Sequence, residues 1–329
     1  MPLLATPGFN TRGSYPYMLC GWRTHSEIPL SCVPTSANDG GTVDVTIEIA
    51  TGHSPIAKRA DRIVFQHTTK HSLIAIKDVA DFEIRGGRQI RVWPAAGATR
   101  KNVEIFLLGP AWATLCHQRG VLPLHASAIV TRTGITAFAG HSGTGKSTAA
   151  ALLDLMGYEL IADDILPVNF NQNSTPGAWP YLRRLKLSRD YIVRLGLTPG
   201  EIVSETLDTN RNFVLPKRTG NDKWRKLNRL YLLESHVTDS QSPIEQLTGA
   251  AAVRVLVDQT YHFNFVLGSR RLGDHLAFCA RLASKIPIYC LRRLLLPEAG
   301  KKVGSVIREH LESTECNTRQ NPPVESSLF

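Results

Sequence analysis

The sequence predicts an α/β domain preceded by a smaller β-rich region. Three observations carry that prediction. Residues 42–108 contain runs such as TVDVTIEIA, in which apolar and polar side chains alternate with the period of a half-buried strand. Beyond residue 120, short apolar runs of strand length alternate with stretches of helical period, the pattern of an α/β unit. A glycine-rich turn at 140–145 joins one such strand to one such helix.

The chain has 329 residues, enough for one large or two modest domains. Apolar residues make up 43% and charged residues 20%, the balance of an ordinary globular protein. The net charge of +10 favours anionic partners such as nucleotides, phosphorylated ligands or an acidic peptide. Six scattered cysteines show no CxxC spacing, so no zinc site is expected and reduced thiols in a cytoplasmic protein are. The first residues lack a basic start followed by an apolar run, and no signal peptide is expected. No run reaches the roughly 18 apolar residues of a membrane span.

Taken in order, residues 1–40 are rich in Gly, Pro, Ser and Thr and read as a poorly defined N-terminal arm. Residues 41–120 read as a β-rich subdomain. Its strands are TVDVTIEIA, then IRVWP after a turn at Gly86–Gly87, then VEIFLLG, and a short helix at 111–119 stops at Gly120. Residues 121–312 read as the α/β domain. LHASAIV at 124–130 and ITAFAG at 135–140 form a hairpin about Arg132–Gly134, and a helix runs from Lys146 to Met156 and stops at Gly157. ELIADD, PYLRRLKL, LNRLYLLE and IPIYCLRR read as strands, and helices are expected near 246–258, 274–284 and 297–312. Residues 313–329 are polar and contain proline, the composition of a disordered tail.

Gly140, His141, Ser142, Gly143, Thr144, Gly145, Lys146 and Ser147 fit the phosphate-binding pattern GxxxxGK[ST]. Glycines let backbone N–H groups turn inward around phosphate oxygens, and the following helix, with Thr148 in its first turn, presents its positive end to the same anion. Lys146 can reach the outer phosphates of ATP, and the Ser147 hydroxyl can ligate Mg²⁺. Asp163 and Asp164 close the next strand, 16 and 17 residues after Ser147. Two adjacent carboxylates there allow two duties, one on the metal and one accepting a proton from a hydroxyl.

LHAS, GHSGTGKS and IADD together resemble the C-terminal catalytic domain of the HPr serine kinases, which are similar in fold to phosphoenolpyruvate carboxykinases. The family's histidine, 15 residues before the first loop glycine, falls on His125. The resemblance implies an HPr kinase-like P-loop fold over 121–312, with Lys146 and Ser147 on nucleotide and Mg²⁺, Asp163 on the metal, Asp164 taking the proton from an acceptor serine, and His125 tuning Asp164. It also implies a homo-oligomer. The chain departs from the family after the aspartates, where GAWPYLRRLKLSRD stands in place of LEIRG. The similar FEIRG at 82–86 precedes the loop and reads as coincidence. That departure counts against a reverse, dephosphorylating activity and against HPr as acceptor. QRGVLPLHASAIV and GYELIADD are similar to HPr-kinase-like proteins of ribosomal peptide biosynthesis, lasso peptides included, whose acceptor is a serine of a precursor peptide.

The densest basic stretches are 183–186 and 223–226. Arg183 and Arg184, just past the aspartates, are the candidates for neutralising a transferring phosphate or gripping an acidic peptide. Nucleic acid is not an expected partner, since aromatics are only 7% and no recognition motif is present. The reading is therefore a cytoplasmic Mg²⁺/ATP-dependent serine kinase acting on a peptide or small protein. HPr or another protein as acceptor, a small-molecule kinase and an ATP-binding regulatory module are the alternatives. Lys146→Ala is expected to abolish ATP turnover while leaving the circular-dichroism spectrum unchanged; full turnover in that variant would remove the nucleotide assignment.

Overall fold

Alternating side chains in the first third of the chain build a seven-stranded sheet. Its strands are β1 (Tyr15–Leu19), β2 (Trp22–Ser26), β3 (Val45–Ile49), β4 (Val64–His67), β5 (His71–Ile76), β6 (Ala80–Arg85) and β7 (Gln89–Pro94), in the order β1-β2-β3-β7-β6-β5-β4. The β2–β3 and β3–β7 pairs are parallel and the others antiparallel. Every second residue, among them Tyr17, Ile47, Ile74, Phe82, Ile90 and Val92, enters one core. The computed structural model describes residues 13–31, 33, 35–36, 40–56, 64–197, 202–205, 210–218, 220–236, 244–294 and 304–313.

Two expectations for this region are corrected. Strands β1 and β2 fall inside the segment read as an arm, because Tyr17 and Leu19 have an apolar face to bury. VEIFLLG is not a strand: it lies in helix α1 (Arg100–Phe106) and in a π-type turn at 107–111 around Pro110, which leads into α2 (Trp112–Gln118). Thr99 caps α1 by accepting from the Asn102 N–H at 3.2 Å. Val103, Leu107, Ala111, Trp112 and Leu115 close the core beneath the sheet, and the stretch from Leu107 to His117 is buried on every side. The wider turn accommodates Pro110, which has no N–H to offer the helix.

The second part of the chain forms a larger mixed sheet. It contains β8 (Leu122–Leu124), β9 (Ala126–Thr131), β10 (Gly134–Ala139), β11 (Glu159–Ala162), β12 (Leu166–Phe170) and β13 (Pro176–Ala178), with helix α3 (Lys146–Leu155) between β10 and β11. A small sheet of β14 (Leu185–Ser188), β15 (Ile202–Glu205) and β16 (Arg211–Val214) follows, with α4 (Arg189–Arg194) after β14. Then come β17 (Arg225–His236), β18 (Ile244–Leu247), α5 (Gly249–Asp258), α6 (Phe263–Gly268), α7 (Leu272–Ala283), β19 (Ile288–Leu294) and a helix over 304–313, α8. The large sheet runs β11-β9-β10-β17-β13-β12-β8, with β19 on β17 and β18 on β19. Parallel pairing of β10 with β17 and of β17 with β19 places the loop after β10 at one sheet end.

The expected hairpin is β9–β10, and α3 stops at Gly157, whose φ is +98°. The strand expected over 180–187 begins only at Leu185, while Tyr181 makes a single parallel bridge to Ala162. Residues 244–247 are strand, so the following helix starts at Gly249. Of the helix expected near 297–312, residues 297–303 lie outside the described residues, as does the expected tail from 314. Among the described residues no helix is long and apolar enough to cross a membrane.

The two sheets meet at a seam rich in histidine. α6 packs on β4, and the Phe265 ring lies against His67 at 5.3 Å and His117 at 5.0 Å, while Phe65 meets His262 at 5.1 Å. Burial pushes the pKa of His67 down to about 4, of His262 to about 4, and of His117 to about 3 against the opposing Tyr261 carbonyl. Both ring nitrogens of His67 are buried with no hydrogen-bond partner among the described residues. In the unfolded chain these rings titrate near about 6.5. Below that pH the unfolded chain binds protons that the folded one does not, so stability falls as the pH falls. Urea melts at stepwise lower pH are therefore expected to show the midpoint dropping between about 6.5 and 4, and His67→Leu to flatten part of that slope; an unchanged slope would remove His67 as a source.

Candidate active site

The loop between β10 and α3 holds its shape through three glycines. Gly140, Gly143 and Gly145 have φ of +144°, +87° and +90°. At Gly140 a Cβ would lie 2.6 Å from the Leu233 carbonyl oxygen and 2.7 Å from Thr144 Oγ1, so no other residue fits. Thr144 Oγ1 donates to the His141 carbonyl at 2.8 Å and closes the loop on itself. His141, Ser142 and Gly143 form its exposed tip, and Thr148 is buried in the first turn of α3. No side chain caps α3, whose N-terminus is thus built to face an anion. Lys146 is buried and donates through Nζ to the Gly140 and His141 carbonyls at 2.7 and 3.1 Å. Burial pushes its pKa down, while Asp163 and Asp164 pull it up.

The two aspartates occupy different environments. Asp163 is 3% exposed. Its Oδ1 accepts from Ser147 Oγ at 2.9 Å and from Ser127 Oγ, and its Oδ2 accepts from the Lys186 N–H at 2.7 Å. Burial raises its pKa, and these hydrogen bonds oppose the rise. Asp164 has φ of +75°, a conformation costly for a residue with a Cβ and one that clusters at functional sites. Its side chain is 38% exposed, with Oδ1 at 3.4 Å from His125 Nδ1.

His125 sits at the corner between β8 and β9. Its Nδ1 lies 3.0 Å from the Asp164 carbonyl oxygen, which can only accept, so the ring hydrogen is assigned to Nδ1. Burial pushes the His125 pKa down and Asp164 pulls it up. The neutral ring therefore borders the more exposed carboxylate.

Lys146, Ser147, Asp163, Asp164 and His125, separated by up to 39 positions in the chain, thus form one constellation. Arg183 and Arg184 are engaged by other partners. Arg183 donates to the Gly220 carbonyl at 2.7 Å and to Asp222 at 2.6 Å. Arg184 stacks over Phe213 at 3.9 Å and lies 3.8 Å from Glu104 of α1. Lys186 and Arg211 are near enough to add to the lowering of the Lys146 pKa. In register Lys186 pairs with Phe213 and Ser188 with Arg211, so alternation turns Lys186 and Arg211 to the same face of the small sheet. Ser127 and Gln259 also belong to the site. Ser127 could have been found from its place two residues after His125 on a strand; Gln259 carries no sequence signal.

Mg²⁺ is usually held by one or two carboxylates, with water and phosphate oxygens completing the shell. The Ser147–Asp163 pair offers that hard oxygen set, and the glycine loop with Lys146 offers an anion cradle. Both fit Mg²⁺ and ATP. Among the described residues there is no group of three or more His, Cys, Asp or Glu that could hold a metal.

No protein-family model matches the chain, and no curated protein matches it. Among solved structures, the HPr(Ser) kinase/phosphatase from Coxiella burnetii is similar over 59% of this chain and 98% of that chain, at 14% identity and a TM-score of 0.30. So slight a likeness assigns no activity, which rests on the site. Lys186→Ala and Arg211→Ala are each expected to lower phosphoryl transfer roughly tenfold to a hundredfold, as loss of a charge-stabilising donor does. Arg183→Ala is expected to stay within about twofold of the parent; an equal loss in all three would return Arg183 to the site.

Proposed function

We propose that the chain is an Mg²⁺/ATP-dependent kinase that phosphorylates a serine hydroxyl of a peptide. The observation that supports it most is the division between the two aspartates: Asp163 is buried against the loop serine, whereas Asp164 is half-exposed against a histidine. One carboxylate is placed for a metal and the next for a proton.

Mg²⁺-ATP, when bound, supplies the phosphoryl group and spreads its charge over the metal. The chain's own residues do the rest. Lys146, now on the loop carbonyls, would reach the phosphate oxygens, and Ser147 and Asp163 would hold the metal. Asp164 accepts the proton of the incoming hydroxyl. His125, through Nδ1, fixes the orientation of Asp164 and, being neutral, leaves its carboxylate free to act as a base. Lys186 and Arg211 lend positive charge on the side of the transferred group. Positioning and charge stabilisation supply most of the rate in such a reaction.

The peptide acceptor is proposed on the motifs QRGVLPLHASAIV and GYELIADD, which suggest a ribosomally made, lasso-type precursor peptide. The test incubates the protein with Mg²⁺/ATP, precursor peptides encoded beside its gene, and HPr, and reads intact mass. A phosphate gained by a peptide with the parent protein, and lost by about 10²–10⁴-fold in rate with Asp164→Asn, is expected. Phosphate on HPr alone would move the acceptor to a protein. No gain on any acceptor, with ATP still bound, would leave a small-molecule kinase or a nucleotide-sensing module.

A further inference from the structure

Gln259 lies far from the loop in sequence and touches both halves of the site. It follows the last turn of α5, and its side chain is 4% exposed. Its Oε1 accepts from the Gly140 N–H at 2.9 Å, and its main-chain carbonyl accepts from the His125 N–H at 2.7 Å. The flanking chain adds to that hold. Thr260 forms a bridge with Leu124, the Tyr261 N–H donates to the Pro123 carbonyl at 2.8 Å, and the Tyr261 ring lies 5.6 Å from the His125 ring. α5 itself is anchored, since Ala252, Val255 and Leu256 share a core cluster with Leu122 and Leu124.

We infer that Gln259 is a positioning residue that locks the first glycine of the nucleotide loop to the β8–β9 corner carrying His125. The inference rests on the kinase reading of the site. Gly140 is gripped from two sides, its N–H by Gln259 and its carbonyl by Lys146. When Lys146 turns to phosphate, its bond to the Gly140 carbonyl is given up. The Gln259 bond is then the hold that remains. Because the side chain serves Gly140 and the main chain serves His125, substitution separates the two duties. A changed side chain frees the loop and leaves the grip on His125.

The test compares Gln259→Met, which has similar length and no amide oxygen, with Gln259→Glu, which keeps an acceptor oxygen at the same reach. Amide hydrogen exchange is read at Gly140 and His125, together with ATP affinity and the KM and kcat for ATP. In Gln259→Met, exchange at Gly140 is expected to speed up at least about tenfold while His125 stays protected. A buried N–H left unpaired costs enough for a change of that size. ATP affinity is expected to weaken about tenfold with KM rising in step, and kcat at saturating ATP to change less than about threefold. Gln259→Glu is expected to restore slow exchange at Gly140. Unchanged protection of Gly140 in Gln259→Met, or a fall in kcat with ATP affinity intact, would overturn the inference. Should Gln259→Met fail to fold, Gln259→Asn, whose amide stops one methylene short, is read in the same way. A parent protein that binds no ATP would defeat the kinase reading instead, and the exchange at Gly140 would still judge the positioning role.

Discussion

The carboxylate of Asp163 ties together three segments that also pack in one apolar cluster, through Ile129, Ala150, Leu153, Leu185 and Leu187. Its two oxygens take hydrogen bonds from Ser147 at the start of α3, from Ser127 on β9 and from the main chain of Lys186 on β14. A buried carboxylate of this kind is tolerable only when it is hydrogen-bonded, and here three donors arrive from β9, α3 and β14. The same contacts, with that packing, hold the glycine loop beside the small sheet. Where Lys186 and Arg211 stand relative to Lys146 follows from it. The burial that makes Asp163 costly also makes it a fixed point among these donors.

The next residue has the opposite character. Asp164 turns away through a left-handed backbone conformation, and its side chain reaches solvent beside His125. Adjacent residues on an extended strand would point to opposite faces. The strained turn leaves the two carboxylates side by side in different surroundings, one buried among donors and one half-exposed beside a histidine. The histidine is held from behind by the segment after α5, so the sheet, α5 and the glycine loop share one frame.

The seven-stranded sheet is joined to this frame by packing as well as by the chain. Trp112 of α2 stacks on Tyr181 with ring centroids 5.8 Å apart, and the Tyr181 hydroxyl donates to the Leu108 carbonyl at 2.6 Å. Tyr181 in turn bridges to Ala162, the residue before the aspartates. Arg184, set between Glu104 and Phe213, spans the same junction. Of the basic pair after the aspartates, Arg184 is thus occupied at this junction, and Arg183 is held by Gly220 and Asp222.

The local half of the site was legible in the amino-acid order. Glycines at fixed spacing, a lysine, a serine and two aspartates after a short helix and strand stand out as a local pattern, and the β9–β10 hairpin and α3 follow from local period and glycine stops. VEIFLLG was misread because an apolar run of strand length is ambiguous until a cap and a burying face are known, and Thr99 with Trp112 supplied both. That Lys186 and Arg211 share a face was decided by the pairing of β14 with β16, and pairing between distant strands leaves no mark on local composition. Gln259 shows the same limit. A lone glutamine after a helix means nothing in the chain, and it acquires its place at Gly140 only when tertiary packing sets α5 beside β8.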